Sequence, residues 1–302
     1  MKFPQFIVAG TARAGTTALY AYLRQHPQIF LPVVKEPCFF TFAGEEIEFT
    51  KGKFAFAVND IEVYGQLYKK AAEDQITGDI STPYLYKYEK TISNIKMLHD
   101  YPEQIKVIII LRNPVERAYS QYMWRVRDGR EEFTFEEALE QEANRMKKNY
   151  SFDYFYKDRG LYYEQVKAYL SNFKNVKIFL FEDLKTNPTH TLAEICKFIG
   201  VDDSFHFAKR NPNASFIPKS AMLSRLMTIE SKTKFKLLNF LPGQLRSTIT
   251  QQLFKLNASK QEIPKINPDT RARLIEYFRD DILKLEQLIQ RDLSAWLEKE
   301  KV

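Results

Sequence analysis

The chain reads as an α/β fold: a central parallel sheet flanked by helices, with an irregular or helical C-terminal cap region. Three observations carry this. A short apolar run, Phe6–Ala9, enters a turn bounded by Gly10 and Gly15 and leaves it as a helical pattern. A second run, Val107-Ile108-Ile109-Ile110-Leu111, is apolar without alternation, the mark of a strand buried on both faces. Strand and helix patterns then alternate, as a parallel sheet requires, because each return to the same edge needs a crossover.

Taken in order, Phe6–Ala9 is expected as a strand and Thr16–Gln25 as a helix, with a short strand at Gln75–Thr77 and a central one at Lys106–Leu111. Asn113 suits the N-cap of a helix over Pro114–Val126. Its side-chain oxygen can accept the first orphan N–H groups, and Pro114 has none to lose. Further helices are expected over Phe135–Lys147, Tyr162–Asn172, Pro188–Ile199 and Pro268–Leu293, with a buried strand at Val176–Phe181. Residues 200–265 are less regular and are expected to form a lid or acceptor-side region over the strand ends. No repeat or low-complexity linker divides the chain, so the expectation is a single domain over residues 1–302.

Apolar residues make up 44% and charged residues 27%, enough for a real core in a soluble protein. The 45 Lys and Arg against 38 Asp and Glu leave a net charge of +7, which favours an anionic partner over a cationic one. Cys38 and Cys196 are far apart and match no metal-ligand spacing, so a disulfide framework is not expected and a reducing compartment fits. Gln5–Ala9 is too short and too soon followed by Gly10 for a signal peptide, and Lys236 and Arg246 interrupt the apolar stretch Phe235–Phe254. The expectation is a complete, cytoplasmic chain with no transmembrane segment.

The first loop carries the chemistry. Gly10-Thr11-Ala12-Arg13-Ala14-Gly15-Thr16-Thr17 has the spacing of the Walker A loop, so the sheet is P-loop-like and the helix N-terminus should cradle phosphate. Where that loop needs Lys this chain has Thr16, and its nearest cation is Arg13. A second anion site follows the central strand. In a nucleoside triphosphatase that strand ends in an acid for Mg²⁺; here it ends in Arg112, with Ser120 about two helical turns further on. A guanidinium fork and a hydroxyl suit a second phosphate. The bland reading pairs Arg112 with a nearby acid and makes Ser120 a packing residue. One nucleotide with two separated phosphate groups, and no metal, explains both loops together.

Gly10–Thr17, Lys35-Glu36-Pro37-Cys38-Phe39-Phe40 and Leu111–Tyr122 resemble the sulfotransferases that use 3′-phosphoadenosine 5′-phosphosulfate (PAPS). Leu111–Tyr122 matches every fixed position of their L-R-[ND]-P-x-x-R-x-x-S-x-Y motif. Further similarity lies in Gly78–Tyr84, Arg159–Tyr163, Phe181–Leu184 and Pro268–Trp296. The branch is similar to the carbohydrate and heparan-sulfate-type enzymes and their bacterial relatives, in which a glutamate stands at Glu36; the phenol and steroid enzymes use a histidine. Arg13 stands where many relatives have Lys, as it does in tyrosylprotein sulfotransferases and many bacterial homologues. Cys38 stands where some heparan enzymes have His.

The resemblance implies in-line transfer of a sulfonate from PAPS to a hydroxyl or amine, releasing 3′-phosphoadenosine 5′-phosphate without a metal. It implies that Arg13, with the backbone of Ala14, Gly15, Thr16 and Thr17, holds the phosphosulfate, and that Arg112 and Ser120 hold the 3′-phosphate. Glu36 is then the proton acceptor; its other reading is a surface carboxylate paired with Lys35. Asp79 is the rival base, an acceptor-binding acid or a turn cap with Ser81 and Thr82. Tyr162 is a cofactor contact or a core residue, and Lys219 is a late-loop cation returned to the cofactor or a solvated charge. The expected partner is a small-molecule or glycan acceptor and not a nucleic acid. A P-loop kinase of a small metabolite, a lipid- or steroid-directed sulfotransferase and a non-catalytic nucleotide- or polyanion-binding module are the competing readings.

Overall fold

The computed structural model describes residues 3–52, 54, 56–209 and 264–298. Among them, β1 (Phe6–Gly10), β2 (Ile29–Phe30), β3 (Ile76–Ile80), β4 (Lys106–Leu111) and β5 (Asn175–Leu180) form a five-stranded sheet in the order β2-β3-β1-β4-β5. Every pairing is parallel. The helices are α1 (Thr16–Leu23), α2 (Phe39–Phe42), α3 (Ile61–Gln66), α4 (Pro83–Tyr86), α5 (Tyr88–Leu98), α6 (Pro114–Arg127), α7 (Phe135–Glu140), α8 (Glu142–Lys147), α9 (Tyr163–Asn172), α10 (Phe181–Thr186), α11 (Pro188–Ile199) and α12 (Pro268–Ile289).

The sheet divides the core by the period of two along each strand. Ile7, Ala9, Val107, Ile109 and Leu111 point to one face, against Val115, Val166, Tyr169, Phe278 and Ile282. Phe6, Val8, Ile108 and Ile110 point to the other, against Leu19 and Leu23 of α1 and Leu192, Ile195 and Ile199 of α11. Both faces of the central strands are therefore closed, which is why their sequences are continuously apolar. Because β1 lies between β3 and β4, the chain first builds toward one edge and then returns to build the other. The loops after β1 and β4 part at this reversal, at the C-terminal edge where open α/β sheets bind ligands.

The sequence reading locates the central strands and long helices but errs at several boundaries. The dipeptide strand β2 is missed, since its order comes from its partner, Ile29 opposite Ile76 and Phe30 opposite Thr77. The strand expected at Gln75–Thr77 runs on through Gly78 and Asp79 to Ile80, two residues that break the apolar pattern. β5 stops at Leu180 because Asp183 accepts the Leu180 N–H (3.1 Å) and turns the chain into α10 at Phe181. The helix expected over Phe135–Lys147 breaks at Gln141. α12 ends at Ile289, where Gln290 takes a positive φ of 52°. α3, α4 and α5 were not anticipated. Lys219, the stretch Phe235–Phe254 and most of the 200–265 region lie outside the described residues. Among the described residues no helix is long and apolar enough to cross a membrane.

Gly78 sits opposite Phe6 in the β1–β3 register, and a Cβ there would overlap the Phe6 ring. That ring is fully buried, so it has little room to move. Gly78→Ala is expected to destabilise the fold by about 1–3 kcal/mol, the usual cost of overpacking, read as a lowered midpoint in urea with an unchanged slope.

Candidate active site

The loop after β1 is shaped by two residues with positive φ, Arg13 (71°) and Gly15 (82°). Gly15 also lacks room for a side chain, since a Cβ would meet the Phe181 ring at 3.1 Å and Leu184 at 3.2 Å. It is the N-cap of α1 and supplies no side-chain cap, whereas Asn113, Asn187 and Asn267 cap α6, α11 and α12 with their own oxygens. The first-turn N–H groups of α1, which no intrahelical carbonyl reaches, thus face the loop mouth without a protein cap. Thr16 is buried beneath the turn and Thr17 is exposed.

Arg13 and Arg112 are brought together directly. The Arg112 Nη1 donates to the Arg13 carbonyl (2.8 Å), and the Arg13 Nε donates to Ser120 Oγ (3.1 Å). The Arg112 guanidinium lies 4.8 Å from the centre of the Phe181 ring, and its Nη2 is 4.0 Å from Glu116. Burial, then Arg127 and Arg112, push Arg13 down to about 10; Asp128 opposes and Arg117 adds to the repulsion. It remains charged at neutral pH, and the concentration of like charge around it is what a bound polyanion would relieve.

Ser120 is joined on one face of α6 by Trp124 and Arg127, four and seven residues on. The Arg13 guanidinium lies 5.7 Å from the Trp124 ring, and Arg127 pairs with Asp128 at 2.9 Å. Neither Trp124 nor Arg127 was singled out from the sequence, although their helical spacing from Ser120 was available as a signal. Tyr162, expected at the cofactor, is fully buried, and its hydroxyl donates to the Arg112 carbonyl (3.0 Å). It braces the loop from behind and offers no surface to a ligand.

Glu36 enters from the loop after β2. Tyr20 donates to the Pro32 carbonyl (2.7 Å) and fixes the start of this loop on α1. Glu36 itself has a φ of 58° and Cys38 one of 55°. One carboxylate oxygen of Glu36 pairs with Lys35, as one sequence reading expected, and the other accepts from Thr82 Oγ1 (2.8 Å). Thr82 follows β3, and the adjacent Ser81 N–H donates to Val8 of β1 (3.1 Å), so Glu36 stands over the same sheet edge as Arg13. The Cys38 thiol donates to the Glu36 carbonyl (3.0 Å); burial, then the Glu36 and Asp79 carboxylates, push it well up, so it stays a thiol.

The sequence reads Asp79 as a rival base, an acceptor-binding acid or a turn cap with Ser81 and Thr82. It is fully buried, and its oxygens accept from Ser81 Oγ (2.6 Å), Tyr84 Oη (2.6 Å) and Tyr64 Oη (2.7 Å). Burial pushes its carboxyl up to about 6 against those three donors, with Glu36 adding to the rise.

The site therefore sets a half-buried group of cations beside a held carboxylate at one edge of the sheet. Residues 3–219 match the family model described as a sulfotransferase domain. The crystal structure of a sulfotransferase from Alicyclobacillus acidocaldarius superposes with a TM-score of 0.76 at 31% identity, covering 99% of this chain and 100% of that one. The bifunctional heparan sulfate N-deacetylase/N-sulfotransferase 1 of Homo sapiens is 25% identical over 305 residues, 98% of this chain and 31% of that protein. The membrane-associated sulfotransferase kil1 of Dictyostelium discoideum is 32% identical over 149 residues, 47% of this chain and 28% of that protein. The chain thus spans about a third of the length of the curated relatives it matches.

Asp79 gives the stability a pH dependence of known sign. Its folded-state value, about 6, lies above the ordinary 3.8, so the folded form binds the proton more tightly. That contribution is full below about pH 4 and is lost as the pH rises through about 6. Urea titrations across this window should show wild type losing up to ~3 kcal/mol relative to Asp79→Asn, since each tenfold change in proton affinity is worth ~1.4 kcal/mol. A constant difference between the two proteins would contradict the assignment.

Proposed function

The chain belongs to the sulfotransferase family, enzymes that move a sulfonate, and on that premise we propose that its donor is PAPS and its acceptor a carbohydrate hydroxyl or amine. The observation that carries the donor is the convergence of Arg13 on the first loop, Arg112 after β4 and Ser120 of α6, two cations and a hydroxyl, with Arg13 pushed down by burial and then by its cationic neighbours. A nucleotide with phosphate groups at both ends of its ribose complements that arrangement. When bound, PAPS supplies an activated sulfonate on a phosphate leaving group.

The chain's own residues would do the rest by position and charge. Arg13 and the first-turn N–H groups of α1 hold the 5′ end and take up the negative charge that develops on the leaving phosphate. Arg112 and Ser120 hold the 3′-phosphate. Glu36, its second oxygen steadied by Thr82, takes the proton from the acceptor. Arg112 directly follows β4, where a triphosphatase would carry its metal-binding acid, which weighs against the kinase reading. The carbohydrate or amine acceptor rests on the heparan sulfate N-sulfotransferases among the relatives.

Three measurements test this reading. 3′-Phosphoadenosine 5′-phosphate at ~100 times its dissociation constant should stabilise the fold by ~2.7 kcal/mol, seen as a raised melting temperature. A shift with ATP and none with the bisphosphate would refute the donor. Arg112→Lys should weaken bisphosphate binding ~10-fold or more in calorimetry, because an ammonium cannot both stack on Phe181 and fork to a phosphate. Glu36→Gln should lower kcat ~100-fold or more, with donor affinity within about twofold of wild type. Unimpaired turnover in that variant would remove Glu36 as the base.

A further inference from the structure

Beneath the Glu36 loop lies a buried polar network that sulfonate transfer itself does not call for. Asp79 is fully buried at the end of β3, and among the described residues no cation lies within ion-pairing distance of it. Its partners are hydroxyls: Ser81 beside it on the chain, Tyr84 of α4 and Tyr64 of α3. Tyr68 donates in turn to Tyr64 Oη (3.2 Å). Cys38 and Glu36 are the remaining titratable groups acting on it from the loop above.

The polarity of these bonds is the informative part. An ionised carboxylate only accepts, so each hydroxyl commits its single hydrogen to Asp79. Their lone pairs are then left as the groups that face away from Asp79. Two of those hydroxyls meet backbone N–H groups of the loop: Cys38 N donates to Ser81 Oγ (3.0 Å), and Phe40 N donates to Tyr84 Oη (3.3 Å). The loop needs such anchors. Glu36 and Cys38 are non-glycine residues at φ 58° and 55°, a conformation that persists only where the surroundings impose it.

We propose that Asp79 is a positioning residue for the proton acceptor: by orienting Ser81 and Tyr84 it fixes the amides of Cys38 and Phe40, and so holds Glu36 against Thr82. The proposal rests on the reading of Glu36 as the base. Asp79 touches no substrate; its effect reaches the reaction only through the loop. The raised proton affinity of Asp79 fits a carboxylate kept in this place at a cost to folding.

The test is a double-mutant cycle. Asp79→Asn reverses the hydrogen-bond polarity but endangers folding, so Ser81→Ala, a small change that removes one relay, is the working variant. In the wild-type background Ser81→Ala should lower kcat ~10-fold and leave the KM for PAPS within about twofold. In the Glu36→Gln background the same substitution should change kcat by less than about twofold, because the group it positions is already gone. Hydrogen exchange at the Cys38 amide should be faster in Ser81→Ala. Equal loss of kcat in both backgrounds would overturn the proposal, as would a lowered melting temperature with kcat intact. A fully active Glu36→Gln is a different result: it overturns the choice of base, and the positioning role with it.

Discussion

The site depends on two loops being fastened to each other at the sheet edge. Arg112 donates to the Arg13 carbonyl, and Arg13 donates to Ser120 of α6, so the first loop cannot shift without the loop and helix that follow β4. This geometry brings half-buried guanidinium groups close together. Like charges so placed repel, and the fold holds them there by packing: Phe181 supports Arg112, Trp124 faces Arg13, and Tyr162 grips the Arg112 backbone from the core. The sheet supplies the rigidity, since β1 is completely buried and β4 is buried from Val107 onward.

The helix that carries Ser120 is itself fixed by charge on its hidden side. Arg125 pairs with Asp153, which also holds Arg159 (3.0 Å), and Arg117 donates to the Tyr156 carbonyl. Glu142 accepts the N–H groups of Tyr156, Lys157 and Asp158, and Arg145 pairs with Glu131 at 2.7 Å. Buried ion pairs contribute little net stability, because desolvation offsets most of their attraction. Their effect here is to set the direction of α6 against the segment 150–160, and hence the angle at which Ser120 meets Arg13.

Much of this was legible in the sequence, for a physical reason. The strand–turn–helix of the first loop and the capped start of α6 are local: Gly15, Asn113 and Pro114 act within a few residues of themselves. Arg112 was readable because it directly follows an unmistakable strand. Asp79 was not, because its role is created by Tyr64 and Tyr84, on helices no hydrophobic period announced, and by a strand that continues through Gly78 against the apolar pattern. Glu36 sits between the two cases. Its chemistry and its Lys35 partner were suggested by the segment around it, but Thr82 was read only in a turn with Asp79 until the fold joined it to Glu36.

The Arg13–Ser120 bond spans 107 positions of chain, and the Arg112–Arg13 bond spans 99. β1 is made first but cannot be completed as a central strand until β4 arrives beside it. Long-range parallel pairing of this kind is slow to form, because loop closure must precede the contacts that reward it. A chain emerging from the ribosome therefore carries Arg13 long before Arg112 and Ser120 can meet it. The meeting of Arg13, Arg112 and Ser120 is thus a late property of folding, a feature of the finished sheet and not of its parts.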